Sequence, residues 1–305
     1  IVKPYTVLPT DEMFDALGQG NPGFITYPTQ ISAEQTGAGA VHENKAELAE
    51  QQFVGEIPNP AGFDFYNEVG DDFTQWVVEP VNEEGVINWF ELAPGEDASL
   101  NFPNDEEIPL ISAYANWTGV PAEGIVVAIE AYLELEAGYH QLGLYTEGAH
   151  KVTCGFDPAS PLLSVFDNSE ADKVPTYYAR GQFFDIVAPR TGYYPVRWLW
   201  FQTNRREETG MMLELFSVRN RELQLLNEGD NPLSIRAFRP DSEFVSRPTL
   251  SVSRNGPNVT ITWTGMLQVS ETVDGTYEDY ADDSQSPLTL PVNQLPATFA
   301  RARGN

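Results

Sequence analysis

The sequence predicts an all-β protein: an antiparallel, jelly-roll-like β-sandwich with an N-terminal extended arm and a small C-terminal β-sandwich. Three observations carry that prediction. From 125 to 135, Ile125, Val127, Ile129, Ala131, Leu133 and Leu135 share one parity while Glu130 and Glu134 fall on the other, the two-residue period of a half-buried strand. Turn residues then punctuate the chain: Glu136-Ala137-Gly138 precedes Leu142 and Leu144, and Thr146-Glu147-Gly148 precedes Lys151-Val152-Thr153-Cys154, so three antiparallel strands come in a row. The stretch 193–202, YYPVRWLWFQ, is apolar on both parities beyond Arg197, as a central strand covered on two faces must be.

Taken in order, the first seventy residues read differently from the rest. Val2, Tyr5, Val7 and Leu8 form a short β-prone run broken by Pro4 and Pro9, and Thr10 is placed to cap a one- or two-turn helix reaching Leu17. From 32 to 52 the residues are small, polar or charged and end in a helix-tolerant run, HENKAELAEQQ. A short strand cannot satisfy its backbone alone, so the arm must lie on its own sandwich or on a neighbouring subunit. Val2, Tyr5, Val7 and Leu8 are therefore the candidate assembly contacts. The division expected is 1–72 for the arm, 73–245 for the main sandwich and 246–305 for the small one.

Apolar density rises at FTQWVV (73–78) and VINWFEL (86–92), followed by an acidic Pro/Asn loop, NFPNDEEIPLI (101–111). A polar connection over 157–178 leads to a strand at 182–187, a turn at Pro189-Arg190-Thr191-Gly192, the central strand, a charged loop at 204–210 and a returning strand, MMLELFSV (211–218). Short strands are expected near 223–226 and 235–238, split by Asn227, Gly229, Asp230, Asn231 and Pro232. The last sixty residues alternate as small strands: Leu250 and Val252, a turn at Asn255-Gly256-Pro257, Val259, Ile261 and Trp263, then Leu267 and Val269, 288–292 and Phe299.

Charge excludes partners before it suggests any. Lys and Arg number 17 against 45 Asp and Glu, a formal charge of -28, and nucleic acid or an anionic membrane would be repelled by it. Such self-repulsion is tolerable where salt or divalent cations screen it. Cys154 is the single cysteine, so no internal disulfide and no cysteine-rich zinc site exist. No apolar run approaches the roughly 20 residues of a membrane helix. A chain beginning at Ile1 is expected to be a processed mature protein or a piece of a longer one.

Two stretches resemble a known family. AYLELEAGYHQLGLYTEGAHKVTCG (131–155) looks like the strand-turn-strand centre of the protective-antigen-type β-sandwich, and APRTGYYPVRWLWFQTNRREETGMMLELFSV (188–218) resembles its later hairpin. The closer likeness is to the variant found in large secreted and surface proteins of environmental bacteria, where 86–111, 225–238 and the closing FARAR (299–303) also have counterparts. The C-terminal unit is similar to small fibronectin-type-III-like modules. The resemblance implies an extracellular or cell-surface, secreted bacterial protein. It also marks a departure: carbohydrate-binding members hold calcium through an adjacent aspartate pair before a Gly, and this chain has Thr146-Glu147-Gly148 there, so the lectin site is not carried over.

Catalytic patterns are missing: His42, His140 and His150 are scattered, and neither a G-x-S-x-G elbow nor H-E-x-x-H occurs. Asp105, Glu106 and Glu107, beside Asn101 and Asn104, are the candidate calcium ligands, being clustered oxygen donors on a Pro-flanked loop. Asp71-Asp72 and Asp282-Asp283 are lesser clusters. Candidate ligand-binding residues are Glu147, Tyr145 and Trp117, the last inside the glycosylation-type triplet Asn116-Trp117-Thr118, and Tyr139 and Tyr193 are further aromatics that could stack on sugar. The expected function is non-catalytic and extracellular: a structural or adhesive subunit partnering itself or other surface proteins. The alternative is a carbohydrate-binding module, with calcium as its cofactor.

Overall fold

A computed structural model describes residues 5–31, 42–57, 65–69, 75–91, 101–109, 124–146, 148–166, 180–202, 211–245, 250–263, 266–270, 272–273, 275–280, 286–291 and 299–303. The chain forms two compact units, one of residues 1–12 and 20–242 and one of residues 13–19 and 243–305. Among the described residues both are built chiefly from antiparallel sheet, with β-strand Tyr5–Val7 paired in parallel, so the all-β expectation holds.

The first unit contains two sheets. Sheet 1 runs in the order Tyr5–Val7 (β1), Arg180–Ala188 (β10), Gly138–Thr146 (β7), Met211–Arg219 (β12) and Glu222–Leu225 (β13), with Asn88–Glu91 (β5) also paired to β12. Sheet 2 runs Val81–Glu83 (β4), Phe24–Gln30 (β3), Ile125–Leu135 (β6), Gly192–Gln202 (β11), Ala149–Cys154 (β8) and Leu162–Phe166 (β9), with Ala237–Phe238 (β14) also on β6. β11 is central, between β6 and β8, as its two apolar parities predict. The N-terminal segment read as an arm supplies β3 to the middle of sheet 2 and β1 to the edge of sheet 1.

The core lies between the sheets. Trp89, Trp198, Trp200, Tyr194 and Phe24 are fully buried there. Trp200 on sheet 2 donates its indole N–H to Thr146 Oγ1 of sheet 1 at 2.8 Å, so the one polar edge of a buried ring is satisfied across the layers. Phe24 meets Trp198 edge to face at 6.2 Å.

The outside of sheet 2 is not wet where simple alternation would make it so. Val126 and Ala128, on the parity opposite Ile125 and Val127, are fully buried because a helix, Ala46–Phe53 (α1), covers them. This is the helix-tolerant run of the sequence. Ala46, Ala49 and Phe53 share one of its faces by their spacing and pack on Val126, Ala128, Ala149, Leu199 and Phe201. Its Gln52 donates to the Gly124 carbonyl at 2.5 Å.

The helix expected from Thr10 to Leu17 does not form. Ala16–Leu17 (β2) pairs with Phe244–Val245 (β15), and Phe14 stacks on Phe244 at 5.0 Å, so pairing with a distant segment overrides a local capping signal. These strands belong to the second unit. That unit adds two three-stranded sheets, one of Leu250–Asn255 (β16), Asn258–Trp263 (β17) and Leu288–Pro291 (β20), the other of Glu278–Asp279 (β19), Met266–Ser270 (β18) and Phe299–Arg303 (β21). Among its described residues Trp263, Leu267 and Met13 are buried and apolar.

Candidate functional site

Register decides which side chains share the outer face of sheet 1. On β7, β10 and β12 the inward set includes Leu142, Leu144, Phe184, Ile186, Leu213 and Leu215, all buried. The outward set is paired across strands: Glu214 with Tyr145, Phe216 with Gly143, Gly143 with Phe183, and Tyr145 with Gly181. Two glycines therefore sit among aromatic neighbours, and the rings lie over the gaps. Tyr145 and Phe216 stand 4.8 Å apart, Phe183 and Phe216 5.4 Å, and Tyr145 and Phe183 meet edge to face at 6.5 Å.

This aromatic cluster grades from closed to open. Phe216 is fully buried beneath Phe102, 6.1 Å away, whereas Phe183 is 42% exposed and Tyr139, further along β7, 61% exposed. Between them lies a small polar network: Tyr139 Oη and Gln141 Nε2 both donate to Asp185 Oδ1, at 2.5 and 2.8 Å. That carboxylate holds the Tyr139 hydroxyl protonated, raising its pKa. The result is a partly exposed aromatic strip flanked by oriented hydrogen-bonding groups.

The acidic loop forms a lid at the other end of the strip. Its residues 101–109 are fastened to β5 by paired backbone bonds, Phe90 N–H to Glu106 O and Glu106 N–H to Asn88 O, each 2.9 Å, and by buried Ile108. Asn104 takes a left-handed φ of 65°, which Asn tolerates better than most residues. Beneath the lid lies Glu214, 0% exposed, accepting from Asn101 Nδ2 at 3.0 Å and from the Phe102 N–H at 3.3 Å. Burial raises its pKa, those donors offset part of the rise, and Asp105 adds to it by repulsion. Asp105 is itself raised by burial, with the Asn88 amide offsetting part of the rise, and Glu83, facing Glu106, is pushed up to about 6, mainly by burial.

Two separate expectations thus meet. Burial apart, Asp105 raises Glu214, and Glu214 in turn raises its cross-strand partner Tyr145, so the acidic loop and the candidate aromatic belong to one face. Glu106 and Glu107 project from the exposed side of the lid. Glu147, Trp117 and Val2 lie outside the described residues, as do Asp71-Asp72, Asp282-Asp283 and the Asn116 triplet. Tyr5 and Val7 are exposed on β1, and Leu8 is buried after it. Tyr193 belongs to sheet 2, where its hydroxyl donates to Glu134. Sequence reasoning missed Glu214, Asn88, Phe183 and Asp185. The signal for Glu214 was a lone carboxylate inside the apolar run MMLELFSV. Among the described residues, no three His, Cys, Asp or Glu side chains gather as a ready metal cluster. No described helix is long and apolar enough to cross a membrane.

No protein-family model matches the chain, and no curated protein matches it. Among solved structures it is similar to the Epithelial Adhesin 9 A domain from Candida glabrata in complex with Galβ1-4GlcNAc, with 11% identity over 73% of this chain and 94% of that one and a TM-score of 0.41. The Epithelial Adhesin 6 A domain from the same organism, in complex with Galβ1-3GlcNAc, has 12% identity over 73% and 95%, with a TM-score of 0.39. The PA14 domain of the MpAFP antifreeze protein has 8% identity over 76% and 97%, with a TM-score of 0.38.

Proposed function

We propose that the protein is a non-catalytic adhesive module of the cell exterior that holds glycans on the outer face of sheet 1. The observation that supports this best is the strip from Tyr145 through Phe183 to Tyr139, with the Gln141–Asp185 pair at its side. A sugar ring offers an apolar C–H face and a rim of hydroxyls. Aromatic rings receive the first, and fixed amide and carboxylate groups receive the second. The reading includes kinship with the protective-antigen-type sandwich, on the strength of the motifs at 131–155 and 188–218. A glycan array probed with the intact chain tests it: one or more glycans should bind, and Phe183→Ala should weaken them at least about tenfold while the thermal midpoint stays put. A blank array, or full binding by Phe183→Ala, removes the reading.

A second reading is favoured by β1. This three-residue strand pairs in parallel with Asp185–Val187 at the rim of sheet 1 and leaves Tyr5 and Val7 exposed. The same strand could lie along β10 of a second copy, making the protein a self-associating surface subunit. Removing residues 1–9 should then lower the particle size on a sizing column. An unchanged elution volume argues against it.

A further inference from the structure

The geometry points to a calcium site beneath the 101–109 lid, formed by Asp105, Glu214 and Asn88. Glu214 and Asn88 are cross-strand partners on the outward face of β12 and β5, and the lid closes directly over both. Asn88 is 1% exposed, and its amide is turned into the lid, where Nδ2 donates to the Pro103 carbonyl at 3.1 Å. Its Oδ1 is buried with no partner, and so is Asp105 Oδ1. Two orphaned acceptor oxygens beside a fully buried carboxylate are costly unless a donor or a cation serves them. No Lys or Arg does so among the described residues: none of the ion pairs involves Glu214 or Asp105.

The chemistry of the set selects the ion. All three side chains offer oxygen only, which suits a hard cation and excludes the softer metals that prefer Cys or His. Calcium takes roughly six to eight oxygens in flexible geometry. Each Glu214 oxygen already accepts one hydrogen bond, yet a carboxylate oxygen has a second lone pair to offer. Asp105, Glu214 and Asn88 Oδ1 provide up to five protein oxygens, and water completes the shell. Two carboxylates and an amide do not make three acidic ligands, which is why no ready cluster of ionisable side chains is present. The inference is independent of glycan binding, and its test needs no glycan.

The intact chain is melted in EDTA, in millimolar CaCl2 and in millimolar MgCl2. Calcium should raise the midpoint by about 5 °C over EDTA, through binding to the folded state alone, and magnesium should raise it less because it demands stricter geometry. Glu214→Gln and Asp105→Asn should each abolish the calcium shift, and Glu214→Gln in EDTA should melt no lower than the parent, showing that the variant folds. Asp185→Asn, outside the cluster, should keep the full shift. The site is overturned if calcium shifts nothing, or if the shift survives both Glu214→Gln and Asp105→Asn, since that would leave counter-ions gathered on an acidic surface.

Discussion

The two outer faces of the larger unit solve one problem in opposite ways. Each sheet buries a charged residue on a central strand beneath a covering segment: Arg197 of β11, 3% exposed, under α1, and Glu214 of β12 under the 101–109 lid. On sheet 2 the cover brings the opposite charge. Glu50 of α1 grips the guanidinium at 2.8 and 3.0 Å, Glu130 approaches to 3.7 Å, and the Phe53 ring lies 5.5 Å from its centre. On sheet 1 the cover brings N–H donors and another carboxylate. A bidentate pair satisfies both partners, whereas hydrogen bonds from neutral donors leave the net charge in place. Among the described residues the first face is finished, and the second places no positive charge against Glu214.

That contrast is broken most directly at Arg197. Replacing it with Met keeps the stem and removes the charge, leaving Glu130 without its cation and Glu50 with only Lys151, 3.5 Å away. Burial already pushes Glu130 up, and Arg197 offsets part of that. Breaking one side of such a pair costs about 3–5 kcal/mol, so the urea midpoint of Arg197→Met should fall sharply. Glu130→Gln together with Arg197→Met should recover part of the loss, because the double change leaves fewer unpaired charges. A single variant as stable as the parent would erase the difference between the faces.

His150 shows a third way to bury an ionisable group, by keeping it neutral. It is fully buried on β8, with Nε2 3.0 Å from Ser164 Oγ and its ring stacked on Phe166 at 5.8 Å. Desolvation lowers its pKa to about 4. The unfolded chain, with an ordinary imidazole near 6.5, therefore binds the proton more readily than the fold does. Stability from this group is complete above about pH 6.5 and is lost as pH falls toward 4, by up to about 3 kcal/mol. Denaturation of the parent and of His150→Gln at pH 7, 6, 5 and 4 should show the parent losing more on acidification. Parallel curves would mean that His150 binds its proton as readily in the fold as in the unfolded chain.

Much of this was legible in the chain, and the missing part has one cause. The period-two runs located β6, β7 and β8, and the doubly apolar stretch around Trp198 identified the centre of sheet 2. Arg197 stood out as the interruption in that stretch, and Glu214 as the interruption in MMLELFSV. What the sequence could not disclose is what each meets. Glu50 lies 147 residues from Arg197, and Asn101 lies 113 from Glu214, so no local pattern links them. Phe183 was hidden for a different reason: in QFFDIV both parities are apolar, and only the register with Gly143 shows that Phe183 faces outward.

That register makes the smallest prediction the most local one. Gly143 lies at the middle of the aromatic strip, and a Cβ there would stand 2.6 Å from the Phe216 ring and 2.9 Å from the Gln182 carbonyl oxygen. The ring is held by Phe102 of the lid, Tyr145 and Phe183, so it cannot yield without moving all three. Gly143→Ala should therefore cost about 1–3 kcal/mol by overpacking and shift near-ultraviolet circular dichroism through Tyr145. The extra methyl touches nothing on the face under α1, so a variant there, such as Glu50→Gln, should combine with it additively. Additive losses keep the two faces as separate solutions; a strong coupling between Gly143→Ala and Glu50→Gln would show that lid and helix respond to one another through the core.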